Sequence, residues 1–95
     1  MSLFDMDGMT AVITGSTKGI GKAIAQRMAE HGANVVVSSR KEDACIQVAD
    51  EINRDWAKKG NKAIPIPCHI GHKEQLQALI DKSMAAFGRI DVLVC

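Results

Sequence analysis

Thr10-Ala11-Val12-Ile13-Thr14-Gly15-Ser16-Thr17-Lys18-Gly19-Ile20-Gly21 is the stretch of this 95-residue chain on which the rest is arranged. The apolar run Ala11-Val12-Ile13 has the character of a buried strand, and residues 22–28 carry apolar side chains three and four apart, the period of a helix. The three glycines therefore lie in a turn between a strand and a helix. A helix start presents backbone N–H groups without intrahelical partners and the positive end of the helix dipole, so it attracts a phosphate. Glycine lets such a ligand reach the backbone and allows φ/ψ values closed to other residues. The plain alternative is a glycine-rich turn with no ligand.

Outward from this turn, the pattern repeats. Residues 10–14 form the first strand, after the turn signal Asp7-Gly8, and about 20–31 the first helix, with Ile20, Ala23, Ile24 and Met28 on one face and Gly32 as its stop. Val35-Val36-Val37 reads as a second strand, apolar on both faces, as a parallel sheet covered by helices requires. Residues 42–59 follow as a long helix with Ala44, Val48, Ile52 and Trp56 four apart, Trp56 being a core anchor. Residues 63–68 make a third strand containing Pro65 and Pro67. Proline donates nothing to a ladder, so this strand belongs at a sheet edge with the prolines turned away from its neighbour. Residues 73–87 form the third helix, with Leu76, Leu79, Ile80, Ser83, Met84 and Phe87 on one side, and 90–95 a fourth, apolar strand.

Strand and helix alternating with short connections imply right-handed crossovers and an α/β fold, a Rossmann-like, doubly wound parallel sheet. With the proline strand at an edge, the order is 3-2-1-4, and a dinucleotide binds where the winding reverses, beside strands one and four. An apolar fourth strand left as an open edge invites aggregation. The chain is therefore expected to be the N-terminal part of a single nucleotide-binding domain in a longer protein, with no internal linker or repeat.

Two better-known phosphate motifs do not fit. A P-loop needs Gly-Lys-Ser/Thr, its glycine five residues after the first, but Ile20 stands there and Ala23 follows Lys22. A dinucleotide fingerprint begun at Gly19 has Ile24 in place of its third glycine. Thr14-Gly15-x-x-x-Gly19-x-Gly21 instead resembles the glycine motif of the short-chain dehydrogenase/reductase family. The resemblance extends over the whole chain, through Asp7-Gly8, Ser39-Arg40 and residues 88–94 leading into the fourth strand.

It implies that Gly15, Ser16, Thr17, Lys18, Gly19, Ile20 and Gly21 hold a diphosphate. Ser39 takes the place of the aspartate of NAD-using members, and Arg40 follows it, so NADP (NADPH) is the implied cofactor, with Lys18 either a second cation near the same phosphate or a solvated loop lysine. For Arg40 the alternative is a surface cation at a helix start, where the dipole disfavours it. Where the family has an aspartate for the adenine amino group, this chain has His69-Ile70: a neutral imidazole has one acceptor nitrogen for that bond, and the Ile70 N–H would serve the adenine ring. The implied activity is hydride transfer between a ketone and an alcohol, on a small-molecule carbonyl or alcohol substrate. The family's Asn-Asn-Ala-Gly-like segment and its active-site serine, tyrosine and lysine have no counterpart in this chain, which contains no tyrosine, so no catalytic residue is assigned. A non-catalytic NADP(H)-binding or regulatory module is the other class of function. Family members commonly form dimers or tetramers, so a homo-oligomer is expected of the full-length protein.

Composition sets bounds on partners. The chain is 46% hydrophobic with a formal net charge of +1, and its basic residues are scattered without aromatic interleaving, which favours neither nucleic acid nor a membrane surface. Cys45, Cys68 and Cys95 form no Cys-x-x-Cys pair and read as reduced thiols, in line with a cytoplasmic protein. His69 and His72 lack a third ligand at metal spacing, so no metal site is expected.

Overall fold

The computed structural model describes residues 5–69 and 71–94. Its elements alternate as β1 (Thr10–Thr14), α1 (Gly19–Glu30), β2 (Asn34–Ser38), α2 (Glu42–Asp55), β3 (Ala63–Pro65), α3 (Lys73–Phe87) and β4 (Val92–Val94). The strands form one sheet in the order β3-β2-β1-β4, every pairing parallel, with Val12 opposite both Val36 and Leu93. This is the doubly wound α/β arrangement that the alternation of strands and helices implies.

Strand residues point alternately to the two faces, and the core divides accordingly. Ala11, Ile13, Val35, Val37 and Ala63 pack on one side with Ala25 and Ala29 of α1 and with Cys45, Val48, Ala49 and Ile52 of α2. Val12 and Val36 face the other side, where Ile66, Cys68 and Leu79 bury them. A run of β-branched residues that is apolar at every position is thus the signature of burial on both faces.

The proline strand is an edge, as its composition demands. Its ladder ends at Pro65, yet Ile66 N–H still donates to Val37 O (3.0 Å) and Cys68 N–H to Ser39 O (2.8 Å). The alternate positions, 65 and 67, are the prolines, so the missing donors face away from β2. That outer side is partly covered by Asn53 of α2, whose amide donates to Ala63 O (2.9 Å) and accepts from Ala63 N–H (2.8 Å).

Three expectations are corrected. The second helix ends at Asp55, short of residue 59, because Trp56 and Ala57 N–H groups both turn back to Ile52 O at 2.8 Å, which closes the last turn. Trp56 itself is half-buried against the core, with Arg27 5.8 Å above its ring. The third strand is shorter than 63–68: regular pairing with β2 ends at Pro65, although the Ile66 and Cys68 N–H groups still donate to Val37 O and Ser39 O. On α1, the core face is Ala25 and Ala29 with Ile24 and Met28 beside them, whereas Ile20 is 81% exposed. The first turn of α1 projects beyond the carboxyl end of β1, where the sheet no longer covers it.

Candidate functional site

The glycine turn stands at the carboxyl end of β1, between β2 and β4, where the winding of the sheet reverses. Gly15 (φ 64°) and Gly19 (φ 63°) adopt left-handed backbone that L side chains rarely enter. Gly21 is required for another reason: a Cβ there would overlap the Gly15 carbonyl oxygen and crowd the Ser16 Cα. The loop and the first turn of α1 therefore fold onto each other, leaving a backbone cradle.

Lys18 is the N-cap of α1; no side chain caps this end, and no acid lies in its first turn. Helices without a capping oxygen leave their first N–H groups in need of an acceptor. An anion supplies one, and the dipole favours it.

Ser16 departs from its expected role. Its side chain is buried, donating from Oγ to Ile13 O (2.7 Å) and accepting from Ser38 N–H (2.9 Å), while its own N–H donates to Ser38 O (3.0 Å). Both polar groups are occupied inside the chain. Ser16 clamps the glycine loop to the end of β2, with both its N–H and its O–H donors spent inside the chain.

A cleft of about 250 Å³ opens between the glycine loop and the segment after β2, lined by Gly15, Thr17, Lys18, Ser39, Arg40, Lys41 and Cys68. The fold thus brings together five of the positions singled out in the sequence, from two segments some twenty residues apart. Of the others, Gly19, Ile20 and Gly21 belong to the helix start beside the cleft, and Ile70 lies outside the described residues. Three cations line the cleft and no acid does. Among the described residues, none of the charged groups of Lys18, Arg40 and Lys41 makes an ion pair or hydrogen bond. Ser39 turns its hydroxyl inward, accepting from Lys41 N–H (3.2 Å) with Cys45 Sγ 3.3 Å away, and so shapes the turn that carries Arg40 and Lys41.

His69 does not line the cleft. Its Nδ1 accepts from Gly71 N–H (3.2 Å), its N–H donates to Gln75 Oε1 (2.7 Å), and its ring meets His72 edge-on at 4.7 Å. A neutral imidazole has one acceptor nitrogen, and here Gly71 occupies it; the expected bond from an adenine amino group has no acceptor left. The neighbour missed by sequence reasoning is Cys68, whose buried thiol contributes a soft apolar wall. Burial raises its pKa, so it stays protonated. Only the alternation of residues past Pro67 hinted that Cys68 faces inward. Lys41 was equally undistinguished, one more lysine at a helix start.

Among the described residues, no group of three or more His, Cys, Asp or Glu is placed to hold a metal ion, and no helix is long and apolar enough to cross a membrane.

Known proteins share this arrangement. A family model described as short chain dehydrogenase matches residues 9–95. Glucose 1-dehydrogenase 2 of Bacillus subtilis is 40% identical over 90 residues, covering 95% of this chain and 34% of that protein. The 7alpha-hydroxysteroid dehydrogenase of Escherichia coli K12 is 42% identical over 89 residues, covering 94% and 33%. A solved 7alpha-hydroxysteroid dehydrogenase complexed with NADH and 7-oxo glycochenodeoxycholic acid superposes with a TM-score of 0.86 at 40% identity, over 95% of this chain and 34% of that one. The chain thus spans about a third of the length of the relatives it matches. By the glycine turn, the strand order and a family match running from residue 9 to residue 95, this chain belongs to the short-chain dehydrogenase family.

Proposed function

We propose that residues 1–95 are the N-terminal, cofactor-binding part of an NADP(H)-dependent oxidoreductase that interconverts a ketone and an alcohol on a small-molecule substrate. The observation that carries this reading is the cleft itself: three cations without a partner among the described residues and no acid in the lining, beside an uncapped helix start. The residues fit a dinucleotide on their own evidence. A cradle that a Cβ at Gly21 would fill is shaped for close backbone approach by a diphosphate.

Within it, the backbone of residues 17–21 would face the diphosphate, with Ser16 bracing the loop from beneath. At the other end, an acid at position 39 would accept from a ribose 2′-hydroxyl and repel a 2′-phosphate. Ser39 does neither, and Arg40 supplies a fork of donors matched to phosphate oxygens. A relative solved with NADH shows that the family also uses the unphosphorylated cofactor, so the choice of NADP rests on this chain's own Ser39 and Arg40. When bound, the nicotinamide ring supplies the hydride.

The test is calorimetric titration of the complete protein with NADPH and NADH. A charge-assisted hydrogen bond is worth about 1.5–3 kcal/mol, so Arg40→Ala should weaken NADPH roughly ten- to a hundred-fold and leave NADH nearly unchanged. Equal losses for both would remove the NADP assignment. Failure of the wild-type protein to bind either dinucleotide would remove the whole reading.

A further inference from the structure

We infer that Lys41 is a second specificity-determining cation, acting with Arg40 on the phosphate that distinguishes NADP from NAD. The inference rests on the cofactor reading above and adds a residue to it.

Lys41 lines the same cleft as Arg40 and Lys18, and among the described residues its ammonium group has no partner. The acids next to it in the chain, Glu42 and Asp43, are exposed in the first turn of α2, where the helix dipole accommodates them, and neither forms an ion pair with it. Its backbone is fixed: the Ser39 hydroxyl accepts Lys41 N–H at 3.2 Å, and the Ser39 carbonyl accepts Cys68 N–H at 2.8 Å. The turn is therefore held from both sides while presenting two successive cations.

Charge balance gives the pair its meaning. A phosphate monoester carries between one and a half and two negative charges at neutral pH, so one guanidinium leaves it incompletely neutralised. The diphosphate end of a dinucleotide already has the glycine-loop amides and the dipole of α1. In this reading the monoester end lies beside the start of α2, but Glu42 and Asp43 in that first turn already offset its dipole, so side-chain cations must carry the charge. Arginine provides the directional fork, lysine a compact point charge that complements it.

Dissociation constants for NADPH and NADH, measured on the complete protein as wild type, Arg40→Ala, Lys41→Gln and Lys41→Arg, test this. Every substitution at 41 keeps the backbone N–H that Ser39 holds, so the turn persists. Lys41→Gln is expected to weaken NADPH roughly five- to tenfold, an interaction near 1 kcal/mol, with NADH within about twofold. Lys41→Arg should retain the preference, and Lys41→Gln should flatten the salt dependence of NADPH affinity. An unchanged NADPH constant in Lys41→Gln, beside a weakened one in Arg40→Ala, would overturn the role of Lys41 and leave the cofactor reading intact. Equal weakening of both dinucleotides would move Lys41 to the diphosphate and also overturn it. A wild-type protein that binds both cofactors equally would show instead that the NADP reading itself had failed.

Discussion

Ser16 and Gly21 mark the boundary of what single residues disclose. Gly21 is legible because its requirement is local: it lies a fixed number of residues from Gly15, and a side chain there would enter the Gly15 carbonyl. The role of Ser16 depends on Ser38, twenty-two residues away, and no spacing rule connects them. The structure makes it a clamp. Ser16→Ala would leave the Ser38 N–H without its acceptor in a buried setting, a loss of about 1–3 kcal/mol. We expect a lower denaturation midpoint with an unchanged ratio of NADPH to NADH affinity, since the substitution touches no cation. A shift in that ratio at unchanged stability would place the Ser16 hydroxyl against the ligand after all. His69 teaches the converse: a residue type able to accept a hydrogen bond is not available when a neighbouring amide has already claimed the nitrogen.

Among elements, those defined by burial on both faces were readable from composition, and those ended by backbone detail were not. β1, β2 and α3 stand where the apolar periods put them, whereas the C-terminus of α2 depends on where the Trp56 and Ala57 N–H groups turn, and the extent of β3 on Pro65 and Pro67, which have no N–H to give. β4 illustrates a third case, a short strand aligned by a side chain outside it. The Asp91 carboxylate accepts from Thr10 N–H (2.8 Å) and from Arg89 Nε (2.8 Å), while Asp91 N–H donates to Thr10 O (2.9 Å). The Arg89 guanidinium, with the Thr10 amide, holds the Asp91 carboxyl below the usual carboxylate range. A depressed folded pKa means that the contribution to stability is present above the unfolded value and is lost as pH falls through the folded one. Asp91→Asn should therefore be less stable at neutral pH, and its stability should fall less steeply on acidification. Asp5 and Asp55, whose carboxyls are also held low, contribute to the slope that remains. Denaturant midpoints taken from neutral to acid pH would reveal this, and parallel curves for the two proteins would show that the carboxylate does not set β4 in place.

For the molecule as a whole, the strand order accounts for both the site and the surface. Order β3-β2-β1-β4 brings the carboxyl end of β1 to the point of reversal, so the glycine loop meets the turn after β2 across one cleft. The same order exposes two edges of unequal character. β3 is blunted by Pro65 and Pro67 and by Asn53, which occupies both backbone groups of Ala63. Among the described residues β4 has no such protection: Leu93 is 48% exposed, and Met84 on the neighbouring α3 is 44% exposed. Half-exposed apolar residues beside an unpaired strand form a surface that another strand can join. Expressed as an isolated segment, residues 1–95 are expected to self-associate along β4. Leu93→Lys should yield a monomer by sedimentation velocity, because a charge on the edge must be desolvated whenever a strand pairs with it. The substitution leaves the cleft untouched, so self-association that persists in Leu93→Lys would locate the sticky surface elsewhere, with the exposed Ile20 at the mouth of the glycine loop as the next residue to vary.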